Sequence, residues 1–207
     1  MNPALPDSMP ADRTARADRV TRETSVAVEM SLDGSGLVEV STGIPFFDHM
    51  ISQLGKHAGW DLSVASSGDL EVDAHHSVED VGIVLGQCLG RALGDKRGIR
   101  RFASCLLPLD EALVEVALDI SGRPYLVYEV PLAVDSPPLG SPPFDPQLAE
   151  EFWRAFAMSA QITLHIRLRS GRNTHHILEA SFKGAARAIG EAASVTGSEV
   201  PSTKGSL

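Results

Sequence analysis

The sequence predicts an α+β fold built from two pseudo-symmetric half-domains, each a β-sheet with its own helices. Three observations carry that prediction. A His-His-x-x-Glu element occurs twice, at His75-His76-Ser77-Val78-Glu79 and His175-His176-Ile177-Leu178-Glu179. A shift of one hundred residues superposes the two without a gap and also pairs Gly90 with Gly190 and Ala92 with Ala192. Both elements stand where a β-rich stretch meets a long helix, so the order strands, helix, strands, helix runs twice.

The elements follow in order. Residues 1–17 mix Pro, Ala, Asp and Arg without periodicity and with few large apolar groups, which predicts a disordered tail. The runs VTRETSVAVEMSL and GLVEV, joined through Asp33-Gly34, read as a β-hairpin. IPFFDHMISQLGKHAG reads as a helix, with Pro45 in its first turn and Gly59 past its end. WDLSVASSGDLEVDA reads as strand, turn and strand, and residues 77–94 as a helix whose Gly82, Gly86 and Gly90 permit close packing. Strands are expected at 101–108, 111–120 and 124–130. A Pro-rich loop, SPPLGSPPFDPQ, leads to a helix at 148–158, then the strand ITLHIRL and a last helix at 175–194. These elements divide the chain into a first half-domain at 18–98, a second at 99–197 and a C-terminal tail at 198–207.

Composition narrows the function. The chain has 207 residues, 43% of them hydrophobic and 22% charged, as expected of a globular protein with a sizeable core. A net charge of −9 without massed Lys or Arg argues against nucleic acid as a partner. Two isolated cysteines suit buried thiols in a reducing compartment. With no long apolar stretch and no secretory pattern, no membrane partner and a cytoplasmic location are expected.

The paired elements point to metal. At a helix start, His75 and Glu79 are four apart and His76 and Glu79 three apart, so all can project from neighbouring positions. Imidazole with added carboxylate favours manganese or iron over thiolate-selected ions, and no cysteine lies nearby. Adjacent histidines point in different directions and serve one ion poorly, so two metals are expected. Asp48-His49 adds a further candidate donor. His57, near a helix end, reads as structural, while His165 lies mid-strand, where filling the core competes with touching the site.

Eight ordered segments then resemble one family: T-R-E-T at 21–24, T-G-I-P-F-F-D-H-M at 42–50, D-A-H-H-S-V-E-D at 73–80, L-G-D-K-R-G-I-R-R-F at 93–102, L-D-E-A-L at 109–113, D-I-S-G-R-P at 119–124, G-R-N-T-H-H-I-L-E-A-S-F-K at 171–183 and P-S-T-K-G at 201–205. The chain resembles the imidazoleglycerol-phosphate dehydratases of histidine biosynthesis. The resemblance implies two βαββ-type halves of the ribosomal-protein S5 domain 2-like kind. It implies dehydration of an imidazole-bearing glycerol phosphate with two Mn²⁺ per active site, other divalent transition metals being possible. It implies metal ligands His49, His75, His76, Glu79, His175, His176 and Glu179. Plant and several bacterial members of the family have a further histidine ligand before a Phe-Phe pair in the penultimate helix; here Glu150-Glu151-Phe152-Trp153 puts Glu151 at that position, as a substitute ligand or as a lost one. A carbon-bound proton is not acidic in water, so a positioned base is needed, and the resemblance assigns it to Glu23, with Glu79 and Glu179 also catalytic. For the phosphate it nominates Arg101, Arg123, Lys183, Ser202 and Lys204, with Gln53 as a lesser contact and the C-terminal tail as a clamp. It implies a homo-oligomer, a 24-mer, with sites between subunits. Two other readings stay open: a di-metal phosphoester hydrolase using a bridging hydroxide, and a metal-dependent cage without catalysis.

Overall fold

The computed structural model describes residues 13–133 and 135–207. Its elements run β1 (Thr14–Val20), β2 (Thr24–Ser31), β3 (Val38–Ser41), α1 (Pro45–Ala58), β4 (Asp61–Gly68), α2 (His75–Leu93), then β5 (Phe102–Leu109), β6 (Ala112–Asp119), β7 (Tyr125–Glu129), α3 (Leu148–Ala160), β8 (Thr163–Ser170) and α4 (Thr174–Ala193). Each half is therefore three strands, helix, strand, helix, which has more strands ahead of the first helix than a βαββ unit. The sheets repeat each other too: β1-β2-β4-β3 and β5-β6-β8-β7, with only the β3–β4 and β7–β8 pairs parallel. Those parallel pairs need a crossover, and α1 and α3 supply it.

Three expectations require correction. Residues 14–17 are not part of a disordered tail: they begin β1, and Ala17 is buried against the core. A short polar strand with alanines at its inward positions carries little hydrophobic signal, so pairing with β2 stabilises it more than its own side chains do. Residues 1–12 of that expected tail lie outside the described residues. The hairpin joining β2 and β3 is also absent, because β4 inserts between them; β2 instead forms a hairpin with β1. The Asp33-Gly34 bend survives as a loop held by Asp61, whose Oδ1 accepts from Ser35 N at 2.8 Å and Leu37 N at 2.9 Å. Finally, residues 69–73, read as a second strand after β4, form turns.

The helices cross-pair between halves, α1 with α4 and α2 with α3, and each long helix also lies on its own sheet. Aromatic groups fill the centre: Phe152 stacks on Phe182 at 5.2 Å, and Phe144 of the Pro-rich loop stacks on Phe47 at 5.8 Å. Glycines set the helix spacing. A Cβ on Gly86 would meet the Phe156 carbonyl at 2.5 Å, and one on Gly82 the Phe152 carbonyl at 2.8 Å, whereas at Gly90 the nearest atom is 3.9 Å away. Gly86→Ala is thus expected to destabilise the fold by about 2 kcal/mol despite alanine's better helix propensity, because a backbone carbonyl must move. Gly90→Ala should instead stabilise it by about 0.5 kcal/mol or more. Chemical denaturation midpoints of the two variants check the sign of each change.

Candidate metal centre and substrate site

The start of α4 is built to present side chains. Asn173 caps the helix by accepting from His176 N at 3.2 Å. One turn separates His175 from Glu179, and α1, packed alongside, brings His49 to the same point. His175 Nε2 lies 3.0 Å from Glu179 Oε2, and His49 Nε2 lies 3.5 Å from Glu179 Oε1. Ligand atoms of His49, His175 and Glu179 all fall within 4.8 Å of one another, the only such group of three among the described residues. Phe46 buttresses His175 edge-on at 5.3 Å. Lys183, a further turn along α4, donates to Glu179 Oε1 at 2.7 Å. Partial burial pushes the Glu179 carboxyl up, but Lys183 and then His175 outweigh it, so the group stays below its ordinary value and ionised at neutral pH. Two imidazoles and an anionic carboxylate form a donor set suited to a divalent transition ion.

The duplicated position is arranged differently. Aligning the ends of α1 and α3, at Gly59 and Gln161, puts Glu151 where the first group has His49. His75 and Glu151 do line one cleft of about 450 Å³ with Leu70, Asp73 and Asp145. Their ligand atoms and those of Glu79 are not gathered as in the first group, and Glu151 leans toward Arg154 Nε at 3.7 Å. The second histidine of each motif turns away from the first: the His75–His76 rings stand at 78° and the His175–His176 rings at 82°, with centroids just over 6 Å apart. Each faces a carboxylate. His76 Nδ1 lies 3.1 Å from Asp69 Oδ2, and His176 Nδ1 lies 2.8 Å from Glu111 Oε2. The His176 hydrogen bond, followed by those from backbone N–H groups of the α4 approach, holds Glu111 down at about 2.

Glu23 sits on the β1–β2 turn with its side chain 56% exposed, 3.9 Å from His76 Nδ1. The turn is rigid. Thr21 Oγ1 accepts from Glu23 N at 3.1 Å and from Thr24 N at 2.9 Å. Thr24 Oγ1 donates to Asp80, which Arg19 Nε also meets at 2.7 Å. Asp80 is buried on α2 immediately after Glu79, so the base candidate and the first histidine pair are fixed to one frame. Sequence reasoning missed Asp80, whose signal was an acid within a helix face that is otherwise apolar.

The phosphate candidates divide between two places. Lys183 belongs to the imidazole–carboxylate group just described, and Gln53 Nε2 lies 3.3 Å from His49 Nδ1. The others gather around Asp119. Arg101 meets that carboxylate at 2.7 and 3.2 Å, and Arg123 reaches it at 3.4 Å. Arg101 also donates to the Pro201 carbonyl at 2.8 Å, tying down the segment that carries Ser202 and Lys204. Its φ of 73° is a left-handed conformation that costs a non-glycine residue about 1 kcal/mol, the kind of strain that concentrates at working sites. Arg101 N donates to the Ala192 carbonyl at the far end of α4. The stretch of α4 from Glu179 to Ala192 is about 20 Å long at the helical rise, more than any side chain spans. The His49–His175–Glu179 group, with Lys183, and the cations gathered around Asp119 therefore occupy opposite poles of α4. His165 lies on β8 opposite Ala117 and Val127, half-buried. His57 lines a separate cleft with Cys105, Lys183 and Arg187.

Comparison with known proteins gives a consistent result. The family described as imidazoleglycerol-phosphate dehydratase matches residues 42–189. An imidazoleglycerol-phosphate dehydratase of Gluconacetobacter diazotrophicus is 54% identical, with 96% of this chain and all of that one covered. One from Symbiobacterium thermophilum is 53% identical over 95% of this chain and 94% of its own. The crystal structure of imidazoleglycerol-phosphate dehydratase from Staphylococcus aureus superposes with a TM-score of 0.76 at 37% identity, covering 86% of this chain and 97% of that one. The enzyme of Pyrococcus furiosus gives 0.75 at 34% identity, over 92% and 100%.

Proposed function

The chain belongs to the imidazoleglycerol-phosphate dehydratase family, hydro-lyases of histidine biosynthesis, and from that premise we propose that it dehydrates its substrate with two Mn²⁺ ions per site. The observation that carries the metal reading is the convergence of His49, His175 and Glu179 within 4.8 Å. Glu179 is ionised and backed by Lys183, so the group presents an anionic oxygen and two imidazole nitrogens and leaves coordination positions for a ligand. His75, Glu79 and Glu151 would supply the duplicated position, with His76 and His176 completing the two shells. When bound, the ions would act as Lewis acids and as a template for the substrate's imidazole.

This chain's own residues account for the rest. Dehydration breaks a C–H bond and a C–O bond on adjacent carbons, and the resulting enol becomes the ketone. Glu23, on its rigid turn, is the group positioned to take the carbon-bound proton. Arg101 and Arg123, both paired with Asp119, with Ser202 and Lys204 on the tethered segment, would bind the phosphate. The separation of about 20 Å along α4 supports a site completed by a neighbouring copy, with residues 198–207 as its clamp. No helix among the described residues is long and apolar enough to cross a membrane, and we place the enzyme in the cytoplasm.

Chelation tests the metal reading. Chelator-treated protein should lose activity toward imidazoleglycerol phosphate and regain it on adding Mn²⁺, as about two ions bind per chain. Full turnover by protein stripped of metal would refute it.

A further inference from the structure

The second histidine of each pair is held from behind. Glu111 Oε2 lies 2.8 Å from His176 Nδ1, while its other oxygen accepts from Asn173 N at 2.8 Å and Arg172 N at 3.2 Å, so the carboxylate itself cannot drift. Both oxygens of Asp69 lie 3.1–3.2 Å from His76 Nδ1, and Asp69 N donates to the Glu23 carbonyl at 3.2 Å. Neither His Nε2 hydrogen-bonds to the protein among the described residues; the acid nearest His176 Nε2 is Asp110, 3.7 Å away. A carboxylate behind Nδ1 keeps the proton there and turns the Nε2 lone pair outward, the form a metal ligand requires.

The duplication adds a comparison within one chain. Glu23 and Glu111 occupy the same place in the two halves, each directly before the first residue of an inner strand, Thr24 of β2 and Ala112 of β6. In the second half that glutamate grips the histidine. In the first half Glu23 stays 3.9 Å from His76, because Asp69 has taken the position. The segment leaving β8, Gly171-Arg172-Asn173, offers no acid in Asp69's role.

We propose that Glu111 and Asp69 are positioning residues that fix His176 and His76 with the proton on Nδ1, and that Asp69 thereby leaves Glu23 free for substrate. The metal purpose of this arrangement rests on the reading given under the proposed function. Deleting either carboxylate should release only its own ring. Loss of Asp69 should also let Glu23 turn onto His76 and lower kcat with little change in KM.

The test reads tautomers directly, by nitrogen-15 NMR of histidine-labelled, metal-free protein at pH about 9, where imidazoles are neutral. The expected result is Nδ1–H at both rings, lost at His176 in Glu111→Ala and at His76 in Asp69→Ala. Mn²⁺ titration by electron paramagnetic resonance should show affinity weakened about tenfold or more in each. Asp69→Asn keeps an acceptor oxygen facing His76 and should keep the tautomer and most of the affinity. In Glu111→Gln the single oxygen answers Asn173 N and Arg172 N, the NH₂ faces His176 Nδ1, and that ring should turn to Nε2–H with weakened affinity, a reversal readable even where an alanine variant folds poorly. Nε2–H rings in the wild type, or unchanged tautomer and affinity in the alanine variants, would overturn the positioning role. Nδ1–H rings in a wild-type chain that binds no Mn²⁺ would instead overturn the metal reading and the purpose assigned to these carboxylates.

Discussion

Glu23→Gln is expected to lower kcat about a thousandfold, within the range set by removing a positioned general base, and to leave Mn²⁺ content and chain fold unchanged. The physical case lies in how the residue is held. Its turn is fixed by Thr21, Thr24 and the buried Asp80, contacts that use the backbone and other side chains, so the carboxylate can be neutralised without disturbing the frame. The side chain is more than half exposed and is not a member of the His49–His175–Glu179 group. Proton removal occurs only in the transition state, so the loss should fall on kcat and kcat/KM together and leave KM nearly unchanged. Steady-state kinetics beside metal analysis check this; a kcat within about threefold of wild type would remove Glu23 from the base role.

The second large effect concerns the two poles. Glu179→Gln takes the one anionic ligand from the His49–His175 group and leaves Lys183 without its partner, so the ion at that position should be lost, Mn²⁺ content falling from about two per chain toward about one, and turnover should collapse. Arg123→Ala acts at the other pole. Its side chain is 67% exposed and makes one long contact with Asp119, so little of the fold depends on it. Losing a guanidinium that meets phosphate should lower kcat/KM about a hundredfold or more, while Mn²⁺ content stays normal. The contrasting metal contents separate the roles: normal Mn²⁺ in Glu179→Gln would contradict the assignment of the first pole, and wild-type kcat/KM in Arg123→Ala that of the second.

Much of this was legible because it is local or repeated. Helical periodicity with Pro45 ahead and Gly59 behind marks α1, and the hundred-residue register of the HHxxE elements announces two halves. Pairing was not legible in the same way. Whether β3 joins β2 or β4 depends on a crossover helix and a parallel register, neither of which alternation along the strands records. The strand β1 was hidden because its inward positions are alanines. At the site, His49, His175 and Glu179 converge as the residue types suggest, since α1 packs on α4. Glu111 and Asp119 could not be read as supports, because each reaches a partner on another element and an isolated acid looks like a solvated charge, whereas Asp69, close before His76, and Asp80, in an otherwise apolar helix face, left local signals that went unread. The unequal duplicate, His49 in one half and Glu151 in the other, is visible in both sequence and structure.

In the proposed function the metal pole of one copy works with the cation pole of another. Mixing Glu179→Gln and Arg123→Ala chains tests it most directly. The two variants are unfolded together, refolded with Mn²⁺ at equal amounts, and assayed at low substrate against each variant alone. If sites form between copies, random pairing joins an intact metal pole to an intact cation pole in about one quarter of sites, and activity returns to about that fraction of wild type. If each site lies within one chain, every site keeps a defect, and a mixture no more active than the average of its two components would contradict the claim.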